Sequence, residues 1–179
     1  TNIPKEFVNL TKLDCINNRI EEIPKELVNL ISLHCYGNEL TTIPKELVNL
    51  KILWCAGNRI EELPKELVNL TILHCNGNEL TTIPKELVNL KILWCYNNRI
   101  EVLPAELVNL TSLNCSDNML TNIPKEFVNL TKLWCYNNEL SMIPDELVNL
   151  TDLYCSGNRL TKLPKLFNKL QSYEFLDFD

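Results

Sequence analysis

Apolar residues in this chain recur in a fixed mould with a step of 20 residues. The unit reads I/L-P-x-E-L-V-N-L-x-x-L-x-C-x-x-N-x-L/I-x-x. Ile23, Leu27, Leu30, Leu33, Cys35 and Leu40 of one unit therefore reappear at matching places in the next. A constant period of this length is the mark of a solenoid, in which each unit touches only its neighbours. Residues 20 apart in sequence become neighbours in space, and every column of the repeat becomes a stripe. Within the unit, Leu33-His34-Cys35 alternates apolar with variable, which predicts a short strand with Leu33 and Cys35 inward. Strands in successive units then run parallel in a single sheet. The segment from Pro24 to Leu30 opens with Pro at a favourable first helical position and Glu in the first turn. It predicts one or two turns of α- or 3₁₀-helix on the convex wall. The core is expected to hold Ile23, Leu27, Leu30, Leu33, Cys35 and Leu40 from every unit.

Polar columns sharpen the picture. Asn18, Asn38, Asn58, Asn78, Asn98, Asn118, Asn138 and Asn158 occupy one position of the repeat. Asparagine donates and accepts at once, so a buried one satisfies backbone groups where the chain bends out of the strand. Gly, Asn or Asp precedes it in each unit, which suits a turn residue with positive φ. The pattern L-x-x-L-x-C-x-x-N-x-L, as in Leu30-Leu33-Cys35-Asn38-Leu40, resembles the leucine-rich repeat family. The departures are Cys where that family usually has Leu or Val, and the short period. The likeness is greatest to short-repeat members, which include bacterial effectors and proteins of amoeba-associated microbes. It implies an α/β solenoid: a right-handed superhelix with one parallel concave sheet and short α or 3₁₀ convex segments. It also implies protein–protein recognition as the activity.

One domain is expected over 1–179, with about eight units in 3–162 and a C-terminal half-unit and cap in 163–179. There Leu166 replaces Glu, Asn168 replaces Val, and Tyr173 and Phe175 fall on the Leu and Cys columns. The first unit carries no equivalent cap. Its open end is expected to be covered by a preceding segment or another chain, so self-association there is an expectation. No apolar run approaches the ~20 residues that span a bilayer, and no signal or transit pattern is legible. A net charge of −6 argues against nucleic acid and anionic membranes as partners. The segments Glu39–Ile60 and Glu79–Ile100 differ only at 56/96 and 57/97, which points to duplication in two-unit blocks or to deliberate design; Ala105, Asp145, Met119 and Met142 break the mould and favour a natural sequence.

All eight cysteines lie in one column, from Cys15 to Cys155. Three readings compete. Buried reduced thiols act as small hydrophobes, and free Cys is among the most buried residue types. Disulfides prefer Cβ atoms ~3.8 Å apart and facing one another, whereas side chains of in-register parallel strands point the same way about 4.8 Å apart. Zinc needs four converging ligands, and a linear column offers two. The first reading is preferred: no metal, no cofactor, and a reducing, cytoplasmic compartment (the host cytosol if the protein is a secreted effector). Asn-Leu-Thr at Asn9, Asn69, Asn109, Asn129 and Asn149 is a formal glycosylation acceptor and points the other way.

Function is expected on the concave face. If Leu13 and Cys15 point in, positions 12, 14 and 16 point out. The column starting at Asp14 continues His34, Trp54, His74, Trp94, Asn114, Trp134, Tyr154 and Glu174, and gathers every Trp and His of the chain. Flanking columns add Ile52, Ile72 and Ile92 on one side and Tyr36, Tyr96 and Tyr136 on the other. Trp and Tyr are enriched in binding hot spots, and a contiguous apolar patch on a soluble protein marks a binding site. The competing reading is that these rings pack on one another and stabilise the sheet. The predicted partner-binding set is His34, Tyr36, Ile52, Trp54, Ile72, His74, Ile92, Trp94, Tyr96, Trp134, Tyr136 and Tyr154. The expected function is a non-enzymatic scaffold for a protein or peptide. The alternatives are a substrate-recognition fragment of a larger effector or ligase, and a glycosylated receptor fragment. Catalysis is not expected, since no Ser or Cys nucleophile is predicted to converge with a histidine. Arg19, Glu39, Arg59, Glu79 and Arg99 alternate in sign down another column and predict a ladder of exposed ion pairs, each contributing ~0–1 kcal/mol.

Overall fold

The computed structural model describes residues 2–162, 165 and 170–174 of the 179-residue chain. The cap expected around Leu166, Asn168 and Phe175 lies outside them. Among the described residues nine three-residue strands appear in chain order: β1 (Lys12–Asp14), β2 (Ser32–His34), β3 (Ile52–Trp54), β4 (Ile72–His74), β5 (Ile92–Trp94), β6 (Ser112–Asn114), β7 (Lys132–Trp134), β8 (Asp152–Tyr154) and β9 (Ser172–Glu174). They form one parallel sheet in sequence order. Its register is fixed at 20 residues from end to end, from Leu13↔Leu33 to Leu153↔Tyr173. A slip by one residue would turn every leucine out of the core, so this register is strongly held.

Behind the sheet runs one continuous core. Leu27, Leu30, Leu33, Cys35 and Leu40 have no solvent-accessible surface, and their counterparts through Cys155 are also buried. The core is looser at both ends, with Ile3, Leu10, Leu13 and Cys15 partly buried at one and Leu160 and Leu170 at the other. At the other end, Tyr173 pairs with Leu153 in register but stays 53% exposed.

The convex wall corrects one expectation. Among the described residues there is no helix, so the α/β description gives way to an all-β parallel solenoid. Among the described residues each convex arc is two tandem turns sharing one apolar residue, a leucine except for Phe7 and Phe127. Leu27 N–H donates to the Pro24 carbonyl at 3.2 Å, and Leu30 N–H to the Leu27 carbonyl at 3.1 Å. An α-helix would need bonds four residues apart, and a 3₁₀-helix a run of consecutive three-residue bonds, whereas these two bonds follow end to end. Here the outward groups serve the neighbouring unit instead: Asn29 Nδ2 donates to the Val8 carbonyl at 2.8 Å, and Asn49 to Val28 at 2.9 Å. Bonding between units replaces bonding along a helix.

Two further ladders tie the units together. Asn58 Oδ1 accepts from Leu40 N–H at 2.9 Å, while its Nδ2 donates to the carbonyls of Cys35, Cys55 and Ala56 at 3.0–3.1 Å. Thr71, Thr111, Thr131 and Thr151 hydroxyls donate to the carbonyl 20 residues back. Asn and Thr of each Asn-Leu-Thr triplet in units 4, 6, 7 and 8 are thus both used in holding the coil. The residue before the Asn column has positive φ throughout, from Asn17 (53°) to Gly157 (62°), as its composition predicted. Gly57 isolates that backbone requirement, because an added Cβ there would meet only ordinary contacts. Gly57→Ala is expected to lower stability by about 1–2 kcal/mol. Gly57→Asn, which column members Asn97 and Asn137 show to be tolerated, should cost less. Urea denaturation of the two variants checks this.

The expected charge ladder is broken into separate pairs. Arg59 reaches Glu39 at 3.6 Å, Arg99 reaches Glu79 at 3.3 Å and Arg159 reaches Glu139 at 3.3 Å, each toward the preceding unit. One guanidinium fork turned back to a carboxylate is not turned forward to the next, so the pairs do not link into a chain.

Candidate binding surface

Strand alternation puts Leu33 and Cys35 into the core and His34 on the opposite, open face, and every unit repeats this. The rings of that column do more than sit side by side. His34 stacks on Trp54 with centroids 4.1 Å apart, Trp54 on His74 at 5.2 Å, and His74 on Trp94 at 4.2 Å, all within 11° of coplanar. Farther along, Trp134 stacks on Tyr154 at 5.9 Å, and the Tyr154 hydroxyl meets Ser172 Oγ. These spacings match the 4.8 Å between strands, so the sheet itself sets the ring separation. Packing between rings and presentation to solvent therefore coexist. Trp94 remains 38% exposed and Tyr36 37%, while Trp54, His74, Trp134, Tyr136 and Tyr154 are half-buried.

Ile52, Ile72 and Ile92 are in register with one another and half-buried on one flank. On the other flank a cavity of about 440 Å³ is lined by Tyr36, Trp54, Ala56, His74, Asn76, Trp94 and Tyr96. Ala56 and Asn76 were not singled out from sequence. Their signal was smallness: in a column otherwise rich in tyrosine, two short residues between Tyr36 and Tyr96 leave a depression. Trp134, Tyr136 and Tyr154 lie on the same face but outside this cavity. Trp54 Nε1 is buried with no hydrogen-bond partner, as is the Ser116 hydroxyl.

Around His34 the structure revises the sequence reading. Ser32 Oγ lies 3.2 Å from His34 Nε2, and Asp14 Oδ2 lies 3.8 Å from Nδ1. A hydroxyl, an imidazole and a carboxylate do meet here, although no convergence was expected. The carboxylate is past hydrogen-bond length, and neighbouring N–H groups are committed: Ser32 to the Thr11 carbonyl and Cys35 to that of Trp54. An oxyanion would find no preorganised donor there, and such donors are usually the largest contribution to acyl-transfer catalysis. Burial, and secondarily the charge of His34, lowers the pKa of His74, which favours its neutral form in the stack.

The thiols are all free and, apart from Cys15, buried. Burial pushes Cys55 and Cys95 up to about 12 and Cys15 to about 11. No group of three or more metal-binding side chains occurs among the described residues.

Models of the leucine-rich repeat match residues 9–30, 48–86 and 109–170, which together exceed half the chain. No curated protein matches. Among solved structures, a leucine-rich repeat protein of Leptospira interrogans is 30% identical with a TM-score of 0.75, covering 94% of this chain and 55% of its own. The functional domain of InlJ from Listeria monocytogenes, whose description includes a cysteine ladder, is 24% identical (TM-score 0.60; 96% and 49% covered). The ectodomain of an Arabidopsis thaliana membrane receptor kinase, solved in complex with Casparian strip integrity factor 2, is 28% identical (TM-score 0.75; 97% and 28% covered). The chain spans about half the length of the Leptospira protein, of the InlJ domain and of an internalin, InlF, from Listeria monocytogenes.

Proposed function

The chain belongs to the leucine-rich repeat family, and from that premise we propose that it is a non-enzymatic scaffold binding a protein or peptide on its aromatic concave face. Proteins of this family are commonly interaction scaffolds. The observation that carries the reading is the cavity among Tyr36, Trp54, His74, Trp94 and Tyr96, set within a stacked row of rings. Such a row is stiff before a partner arrives, so little side-chain entropy is lost on binding. Support also comes from the receptor-kinase ectodomain, a related coil solved with a bound partner. A reducing compartment is the matching proposal for location, since unpaired thiols along the whole core are at home there.

Selection of a displayed random-peptide library against the purified protein tests the surface. Trp54→Ala with Trp94→Ala is expected to weaken a selected peptide about 30-fold or more, the scale of an anchor residue. Unchanged affinity with a lowered Tm would assign the rings to sheet packing alone.

A further inference from the structure

The row of rings has one break. In strand order the column runs His34, Trp54, His74, Trp94, Asn114, Trp134, Tyr154, and register sets Asn114 directly between Trp94 and Trp134. From His34 to Trp94 tryptophan alternates with histidine, and His74 fills the same position between Trp54 and Trp94, stacked against both; past the break Trp134 stacks on Tyr154 instead. Asn114 is too short to do this. Its Oδ1 is occupied, accepting from Ser116 N–H at 3.2 Å. Two strand steps separate the flanking indoles by about 10 Å, which is room for one planar group between their faces. Trp94 stacks on the ring of His74 and is 38% exposed.

From this geometry we infer that the gap over Asn114 is a slot for one planar cationic side chain of the peptide partner, an arginine guanidinium, held between Trp94 and Trp134. The inference rests on the concave-face reading and adds the chemistry of the ligand. The one filled place between two indoles shows what fits: His74, a flat, nitrogen-bearing ring, lies between Trp54 and Trp94. Guanidinium is flat, always charged and stacks on aromatic faces, and tryptophan is the best aromatic partner for a cation. The chain's net charge of −6 favours a cationic ligand over an anionic one. Lys132 on β7 is the neighbouring cation; it is exposed and stands in register beside Asp152. A sugar or other neutral ring would forgo the cation–π attraction that the two flanking indoles supply.

The three tryptophans give three indole N–H signals in NMR. Titration with arginine amide is expected to move those of Trp94 and Trp134 and leave Trp54 in place. Lysine amide, equally charged but not planar, should bind roughly fivefold more weakly. Asn114→His puts into the gap the ring used between Trp54 and Trp94. It should fold, raise the Tm and abolish the response. Trp134→Leu removes one wall while keeping an apolar side chain, and should weaken the response without filling the slot. No movement with arginine amide, equal response to both amides, movement centred on Trp54, or a response surviving Asn114→His overturns the slot. Peptide selection reads the two ideas apart. Selected peptides that depend on Trp54 and Trp94 but carry no arginine and ignore Asn114→His remove the slot alone. A library that yields no binder removes the concave-face reading.

Discussion

Asn58→Ala is expected to destabilise the protein by about 3–6 kcal/mol, whereas Asn18→Ala, at the equivalent position of the first unit, should stay within about 1 kcal/mol. The two residues are the same in type and column but not in surroundings. Asn58 is buried and serves two units at once, taking the Leu40 N–H and feeding the carbonyls of Cys35, Cys55 and Ala56. Truncation leaves a buried donor and several carbonyls with nothing to replace the amide, and each such group costs about 1–3 kcal/mol. Asn18 is exposed and bonds only the carbonyls of Cys15 and Ile16 in its own unit, where water takes over. A mid-coil break also separates units that stabilise one another only through their shared interface. Urea unfolding of both variants measures the difference, and equal losses would remove the ladder as a source of cohesion.

Alkaline solution should unfold the coil steeply, through its cysteines. The sign follows from proton binding. The unfolded thiol titrates near 9.0, and burial raises the folded value, to about 12 for Cys55 and Cys95. Between those values the folded state holds a proton that the unfolded state has lost, so stability falls as pH rises. The contribution is complete below pH 9 and is lost from there upward. Each such thiol removes about 1.4 kcal/mol per pH unit, and buried cysteines in adjacent units act together. Denaturation midpoints from pH 7 to 11 are expected to drop sharply past 9. Replacing Cys55, Cys75 and Cys95 with Ala should lower stability at neutral pH and flatten the alkaline decline. A decline of unchanged steepness in that triple variant would locate the titration elsewhere. The same burial makes the native thiols slow toward disulfide reagents, because the thiolate is the reacting form.

Much of this was legible in sequence because repetition turns columns into space. The positive φ at position 17 of the unit followed from its Gly, Asn and Asp composition. The inward set from Ile23 to Leu40 and the outward column of His34, Trp54, His74 and Trp94 followed from alternation. One expectation failed, because bonds to the neighbouring unit decided the convex arc. Proline followed by glutamate reads locally as a helix start, yet the Asn29 amide bonds the Val8 carbonyl of the neighbouring unit and the arc stays two turns. Alternating Arg and Glu reads as a ladder of ion pairs, and three pairs form, each arginine turned to one side.

Sequence alone determined the period, the strand, the core and the face that each aromatic ring occupies, because side-chain direction is dictated by the two-residue alternation of a strand. Tertiary structure decided which groups bond across units, how the rings stack at the strand spacing, that Ser32 and Asp14 approach His34, and that Asn114 interrupts the row between Trp94 and Trp134. Those are distances between residues about 20 apart in the chain. They are set by how successive turns of the coil settle on one another, which no single unit can specify.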